Sequence, residues 1–159
     1  MQDITHKLLT LGLELPAPNP AAGNYKPYMA HAGLLSVSGQ TCKRNGRIVY
    51  QGKVGQELSL EQGAQAARLC ALNLIVQLRD ACQGDWDNFL RCLKLTVFVN
   101  CTADFDQMPR IADGASDLLL ELFGERGHHT RSAVGACSLP GGSAVEIDGL
   151  FAILPTAKP

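Results

Sequence analysis

Apolar residues recur at helical spacing through the middle of the chain: Ala67, Cys70, Ala71, Leu74, Ile75, Leu78 and Cys82 fall on one side of a 3.6-residue helix. Ser59-Leu60-Glu61-Gln62 stands just before this run as an S-x-x-Q capping box, and Gly84 lies where the helix should stop. A second helix is predicted from Pro109, with Ile111, Ala115, Leu118, Leu119 and Leu122 on its buried side and Gly124 at its end. Gly114 inside it costs ~1 kcal/mol relative to alanine, which predicts a close contact or a bend there. A short helix over Ile4 to Leu11, capped by Asp3 and stopped by Gly12, puts Ile4, Leu8 and Leu11 on one side.

Other stretches alternate with a period of two. Gly33 to Gly39 reads as a strand, and Arg47 to Tyr50 as a second one after the Asn45-Gly46 turn signal. Arg91 to Val99 is rich in β-formers. Near the end, Arg131 to Cys137 and Ala144 to Leu154 read as two arms of a hairpin turning at Leu139-Pro140-Gly141-Gly142. The prolines of the stretch from Pro16 to Gly23 forbid ladder bonding, so it reads as an extended connector. The order α, β, β, α, β, α, β, β predicts an α+β domain with helices on one face of a mixed sheet. Residues 1–22 would be a helix and connector, and residues 23–159 the domain proper.

Composition narrows the function classes. The 159 residues are 46% hydrophobic and 18% charged, as in one globular domain rather than a disordered chain. Lys+Arg 14 against Asp+Glu 15 leaves a net charge of −1, without a broad cationic field for nucleic acid or an anionic membrane. No run approaches the ~20 apolar residues of a membrane span. Met1 to Lys7 lacks the basic start and apolar run of a secretory signal, so a soluble, cytoplasmic protein is expected.

Six cysteines are scattered with no C-x-x-C, which disfavours zinc and redox pairs and points to reduced, packed thiols. His128-His129 are adjacent, so their side chains diverge and a shared metal is not expected. Asn100-Cys101-Thr102 matches a glycosylation acceptor only formally, given the expected location. No phosphate-binding glycine loop, G-x-S-x-G or H-E-x-x-H is present. No cofactor and no metal is predicted.

One constellation stands apart. Arg131 opens a strand of small residues, Ser132-Ala133-Val134-Gly135-Ala136, which leaves room for its guanidinium to grip a carboxylate with two bonds. Glu146, on the returning arm, could hold or deprotonate a water beside such a ligand. A turn centred between Pro140 and Gly141 would pair the arms in the register that puts Arg131 and Glu146 on the same sheet face. Charged residues on a half-exposed strand are also ordinary solvated groups. Spacing alone leaves both readings open.

Gly23-Asn24-Tyr25, Val37-Ser38-Gly39-Gln40, Thr96-Val97-Phe98-Val99, Arg131-Ser132 and Val145-Glu146-Ile147 occur in the order found in the RidA (YjgF) family, also labelled endoribonuclease L-PSP-like. Tyr25 lies thirteen positions before Ser38 and Glu146 fifteen after Arg131, as in that family, and the resemblance covers about residues 23 to 155. It implies a chorismate-mutase-like subunit with a mixed six-stranded sheet, assembled as a homotrimer with ligand clefts between subunits. It also implies hydrolysis of reactive 2-enamino or 2-imino acids to 2-keto acids and ammonia. By the same carry-over Arg131 clamps the substrate carboxylate and Glu146 positions the water. Tyr25, Ser38, Gly39 and Ala133 would complete the substrate-binding pocket.

The sequence departs from the family pattern in three places. Ala133 stands where a cysteine is frequent, Gly127-His128-His129-Thr130 where a proline is usual, and Pro109 where an asparagine lies near the cleft. These departures mark a divergent branch. Two other functions fit less directly: a non-catalytic trimer that binds a small carboxylic acid, and an RNA-cleaving translation inhibitor. The second needs clustered Lys and Arg that the charge balance does not supply.

Overall fold

The computed structural model describes residues 4–155, and Asp3, the expected cap of the first helix, lies outside them. The described chain runs α1 (Ile4–Thr10), β1 (Tyr28–His31), β2 (Leu34–Thr41), β3 (Lys43–Arg44), β4 (Arg47–Ile48), α2 (Leu60–Ala81), β5 (Phe89–Asn100), α3 (Met108–Phe123), β6 (Thr130–Ala136) and β7 (Val145–Ile153).

The helices form where apolar spacing places them. Ser59 Oγ accepts the Gln62 N–H at 3.2 Å while Gln62 Oε1 accepts the Ser59 N–H at 2.9 Å, closing the capping box at the start of α2. Gly124, at φ 57°, ends α3. A Cβ at Gly114 would collide with the Ala64 carbonyl of α2, so the glycine is what lets α2 and α3 touch backbone to backbone. On the outer side, α1 buries Ile4 and Leu8, and Lys7 Nζ donates to the Leu122 carbonyl at 3.2 Å, one of the acceptors left open at the end of α3. Among the described residues no helix is long and apolar enough to cross a membrane.

The main sheet has five strands in the order β1-β2-β7-β5-β6, parallel between β5 and β6 and antiparallel elsewhere. The expected six-stranded sheet is therefore five strands plus a separate two-stranded ribbon, β3-β4. Asn45 and Gly46, both at positive φ (52° and 76°), turn that ribbon as the Asn-Gly signal predicts. Of the strand expected over Arg47 to Tyr50 only Arg47–Ile48 pairs. The unpredicted β1 is a four-residue edge strand with no alternation of burial to announce it.

The expected hairpin between residues 131–137 and 144–154 does not form, because β5 lies between its two arms. Both arms exist, but α3 acts as the crossover that lets β6 return parallel to β5, since parallel neighbours need such a long connection. β7, with Val145, Ile147, Phe151 and Ile153 buried, takes the central place between β2 and β5. β6, short and full of small residues, is left at the edge.

The core lies between one sheet face and α2 with α3, built on Leu35, Val37, Leu95, Val97, Ile147 and Phe151. A bulge between Val37 and Gln40 reverses the alternation of β2: Leu35 and Val37 are buried before it, Gln40 and Cys42 after it. Ser38 and Gly39 sit in that bulge. The opposite sheet face carries Glu146, Asp148, Leu150 and Ala152 of β7, and there Met29, Leu34 and Val134 stay exposed.

Candidate functional site

Glu146, in the middle of the sheet, pairs with Thr41 of β2 on one side and Phe98 of β5 on the other. Its carboxylate lies directly over Gly39, so that any Cβ at position 39 would overlap Glu146 Oε1. The bulge and the missing side chain together open the space it occupies. Glu146 makes no hydrogen bond or ion pair among the described residues. Half-burial raises its pKa above the ordinary carboxylate value, with a smaller push from Asp148.

The carboxylate faces a cavity of about 270 Å³. Tyr25, Gly39, Thr41 and Lys43 line it on one side, and the connector residues Asn19 to Ala22 with Pro140 close the other. The connector is pinned there by side-chain and backbone bonds. Ser38 Oγ donates to the Lys26 carbonyl at 2.8 Å and the Ser38 N–H to the Pro27 carbonyl at 2.9 Å. Tyr25 Oη accepts the Ala22 N–H at 3.2 Å. The bulge residue Ser38 thus ties down the segment that carries Tyr25, and its carbonyl accepts from Gln40 Nε2 at 3.0 Å.

The structure brings Tyr25, Gly39 and Glu146 to one cavity, with Ser38 behind it, and leaves Arg131 and Ala133 elsewhere. Arg131 pairs with Leu95 and Ala133 with Val97, so both face the helix layer, on the side of the sheet opposite Glu146. The expectation that Arg131 and Glu146 share a face is corrected. The odd-sum rule holds for two adjacent antiparallel strands, and β5 separates these two.

Arg131 is engaged by α3. Nη1 donates to Asp113 Oδ1 at 3.0 Å and Ser116 Oγ at 2.9 Å, and Nη2 donates to the Pro109 carbonyl at 3.1 Å. Three of the five guanidinium donors are thereby used. Ser116 continues to His129 Nε2 at 3.0 Å, and His129 Nδ1 lies 2.6 Å from the Gly127 carbonyl. A carbonyl only accepts, so Nδ1 carries the proton and Nε2 accepts from Ser116. Burial lowers the pKa of His129, with Arg131 and His128 adding repulsion against the Gly127 bond that opposes it.

A larger cavity of about 620 Å³ lies beyond the end of β6, lined by Lys53, Cys101, Phe105, Met108, Gly135 and Cys137. It offers no open charge from Lys53, whose ammonium is taken up by Asn100 Oδ1 at 2.9 Å and by the Cys101 and Cys137 carbonyls. All six cysteines are free, five of them buried and Cys137 exposed.

Sequence reasoning missed Lys43, Asp113, Ser116 and the connector wall. Asp113 and Ser116 are three residues apart, hence neighbours on one helix face, and that spacing was the available signal. Lys43 had none, because the bulge that turns its side chain to the cavity is not visible in the pattern.

A bulged, mixed sheet with helices on one face and a carboxylate-bearing cavity on the other matches the chorismate-mutase-like fold. The family model described as "YjgF/chorismate mutase-like, putative endoribonuclease" matches residues 5–154, and the chain belongs to this family, the RidA (YjgF) family. It is 43% identical over 148 residues to Protein TCP17 of Trypanosoma cruzi, covering 92% of each chain. It is 37% identical to the protein Atu1372 of Agrobacterium tumefaciens, described as of unknown function, covering 95% of this chain and 92% of that one with a TM-score of 0.89. A "putative endoribonuclease" from Shewanella oneidensis MR-1 is 35% identical, with 96% and 100% covered and a TM-score of 0.92.

Proposed function

We propose that the chain hydrolyses reactive 2-enamino or 2-imino acids to 2-keto acids and ammonia, in clefts between the subunits of a cytoplasmic homotrimer. The observation that carries this reading is the half-buried, unpartnered Glu146 carboxylate over Gly39, facing a partly open cavity. An imine carbon is already electrophilic, so orientation and one activated water suffice without metal or cofactor. Glu146 holds the water and accepts its proton as oxygen bonds to the carbon. Glu146 passes that proton to the nitrogen, the new hydroxyl gives up a second one as the C–N bond breaks, and ammonia leaves while the C–O bond becomes the keto group.

In this reading Arg131 of a neighbouring subunit clamps the substrate carboxylate with its two remaining donors. Tyr25, Ser38, Gly39 and the neighbour's Ala133 shape the cleft. Support comes from the placement of Arg131 and Glu146 on opposite sheet faces, which prevents one subunit from presenting both to the same small ligand. The uncovered face with Met29, Leu34 and Val134 exposed fits a subunit interface, and a closed ring of three satisfies such a face on every copy. Residues 1–22 then serve as a helix and cavity wall added to a domain of residues 23–159.

A second reading has its own observation. Asp113 already neutralises Arg131, and Ala133 leaves no thiol beside it, which favours a trimer that binds a small carboxylic acid without turning it over. Ammonia release from 2-aminoacrylate separates the two. Acceleration by the wild type and its loss in Arg131→Ala are expected for the deaminase. Equal rates with and without the protein would remove catalysis and leave binding.

A further inference from the structure

The cavity below Glu146 contains a second charged group that deamination itself does not use. Lys43 lines it, half-buried, and its ammonium makes no hydrogen bond or ion pair among the described residues. Its position is set from behind. Asn73 of α2, 1% exposed, donates from Nδ2 to the Thr41 carbonyl at 3.0 Å and to the Lys43 carbonyl at 2.9 Å. Between these two residues Cys42 turns into the core and donates its thiol to the Tyr50 carbonyl at 3.2 Å. With Cys42 inward, Thr41 and Lys43 both face the cavity. The backbone on either side of Cys42 is thereby held in place, which fixes where the lysine side chain starts.

The wall therefore carries a cation and a carboxylate, Lys43 and Glu146, that do not pair with each other. Half-buried charges without partners carry a desolvation cost that a ligand group of opposite charge offsets. Resting on the reading above, in which Arg131 of a neighbouring subunit takes the carboxylate next to the imine carbon, Lys43 is left facing the rest of the substrate. We infer that Lys43 selects substrates with a second acid group, so that the preferred ligands are short 2-imino and 2-keto dicarboxylic acids. The cavity, at about 270 Å³, falls just under the ~300 Å³ where drug-sized pockets begin, which suits a metabolite of this size. The Asn19–Ala22 wall and Pro140 close the remaining sides against bulky side chains.

The test is calorimetric titration of the full-length protein with 2-oxoglutarate and with 2-oxobutyrate. The wild type should bind the dicarboxylate at least tenfold more tightly, a difference of about 1.4 kcal/mol. Lys43→Met should bind the two acids alike, and Lys43→Arg should restore the preference, with far-UV circular dichroism confirming that each variant folds. Equal affinities in the wild type overturn the inference. So does a Lys43→Met variant that keeps the preference, or one that loses both acids in the same proportion, because the lysine would then hold the shared carboxylate. If 2-oxobutyrate binds without any dicarboxylate preference, the inference falls and the cavity reading stands. If neither acid binds the wild type, both fall together.

Discussion

Glu146 and Gly39 form a matched pair: the carboxylate occupies the volume that a side chain at position 39 would need. Gly39→Ala sets a methyl group against the outer part of the flexible Glu146 side chain, which can swing aside, so the fold should survive with a loss near the low end, about 1 kcal/mol, of what overpacking costs. The Glu146 carboxylate, however, must leave its place. On the proposed mechanism kcat/KM for 2-aminoacrylate should fall at least tenfold while the melting temperature moves by only a few degrees. A variant with full activity would show that the position of the carboxylate does not matter to turnover.

The raised pKa of Glu146 makes a prediction with a definite sign. Burial disfavours its charged form in the folded chain relative to the unfolded one. The penalty is absent below the unfolded carboxylate pKa of about 4.3, grows as pH rises through the raised folded value, and is fully present above it. Glu146→Gln should therefore raise the melting temperature at pH 7 to 8, with the gain vanishing near pH 4. The same ionisation should set the acid limb of kcat/KM above where an unperturbed glutamate would put it, and that limb should disappear in the glutamine variant. Thermal scans and rate profiles across pH check both effects.

How much the sequence reveals depends on how local each feature is. α2 was legible because spacing, capping box and a following glycine agree within a few residues of one another, and α3 because spacing, Pro109 and Gly124 do. Gly114 announced a close approach or a bend, and of the two it is a close approach, to the Ala64 carbonyl. The hairpin reading failed for a non-local reason. Nothing within residues 131–154 records that β7 gains more by burying Ile147 and Phe151 between β2 and β5 than by pairing with β6. The same blindness hid the engagement of Arg131 by α3, since Asp113 and Ser116 come beside it only through the parallel crossover. Gly39 was a candidate site residue through the family resemblance alone and Glu146 already through its place on the last strand, but their contact follows from a bulge that no periodicity displays.

Asp113 offers a way to measure how free Arg131 is. The pair spans 3.0 Å, but Asp113 is 57% exposed, so the bridge itself should contribute within about 0.2–1 kcal/mol to stability. Asp113→Asn should leave the melting temperature within a few degrees of wild type and tighten 2-oxobutyrate binding by a few-fold, as the guanidinium charge becomes available to the ligand. Arg131→Ala should abolish that binding. If Asp113→Asn instead weakens binding as severely as Arg131→Ala, the aspartate orients the arginine rather than competing for it.

Gly114 tests the packing that supports the whole site, because α3 carries the partners of Arg131 and rests on α2, whose Asn73 holds the wall around Lys43. In a solvent-exposed helix, glycine to alanine would stabilise by about 1 kcal/mol. Here the new methyl group would meet the Ala64 backbone carbonyl, which cannot rotate away as a side chain can. The helices must separate, and overpacking of this kind typically costs about 1–3 kcal/mol, which outweighs the gain in helix propensity. For a chain of this size, each kcal/mol lowers the melting temperature by about 2–4 °C. Gly114→Ala should thus melt several degrees below wild type, and Gly114→Val lower still. A more stable alanine variant would mean that α2 and α3 do not touch there and that the close approach is not what the glycine provides.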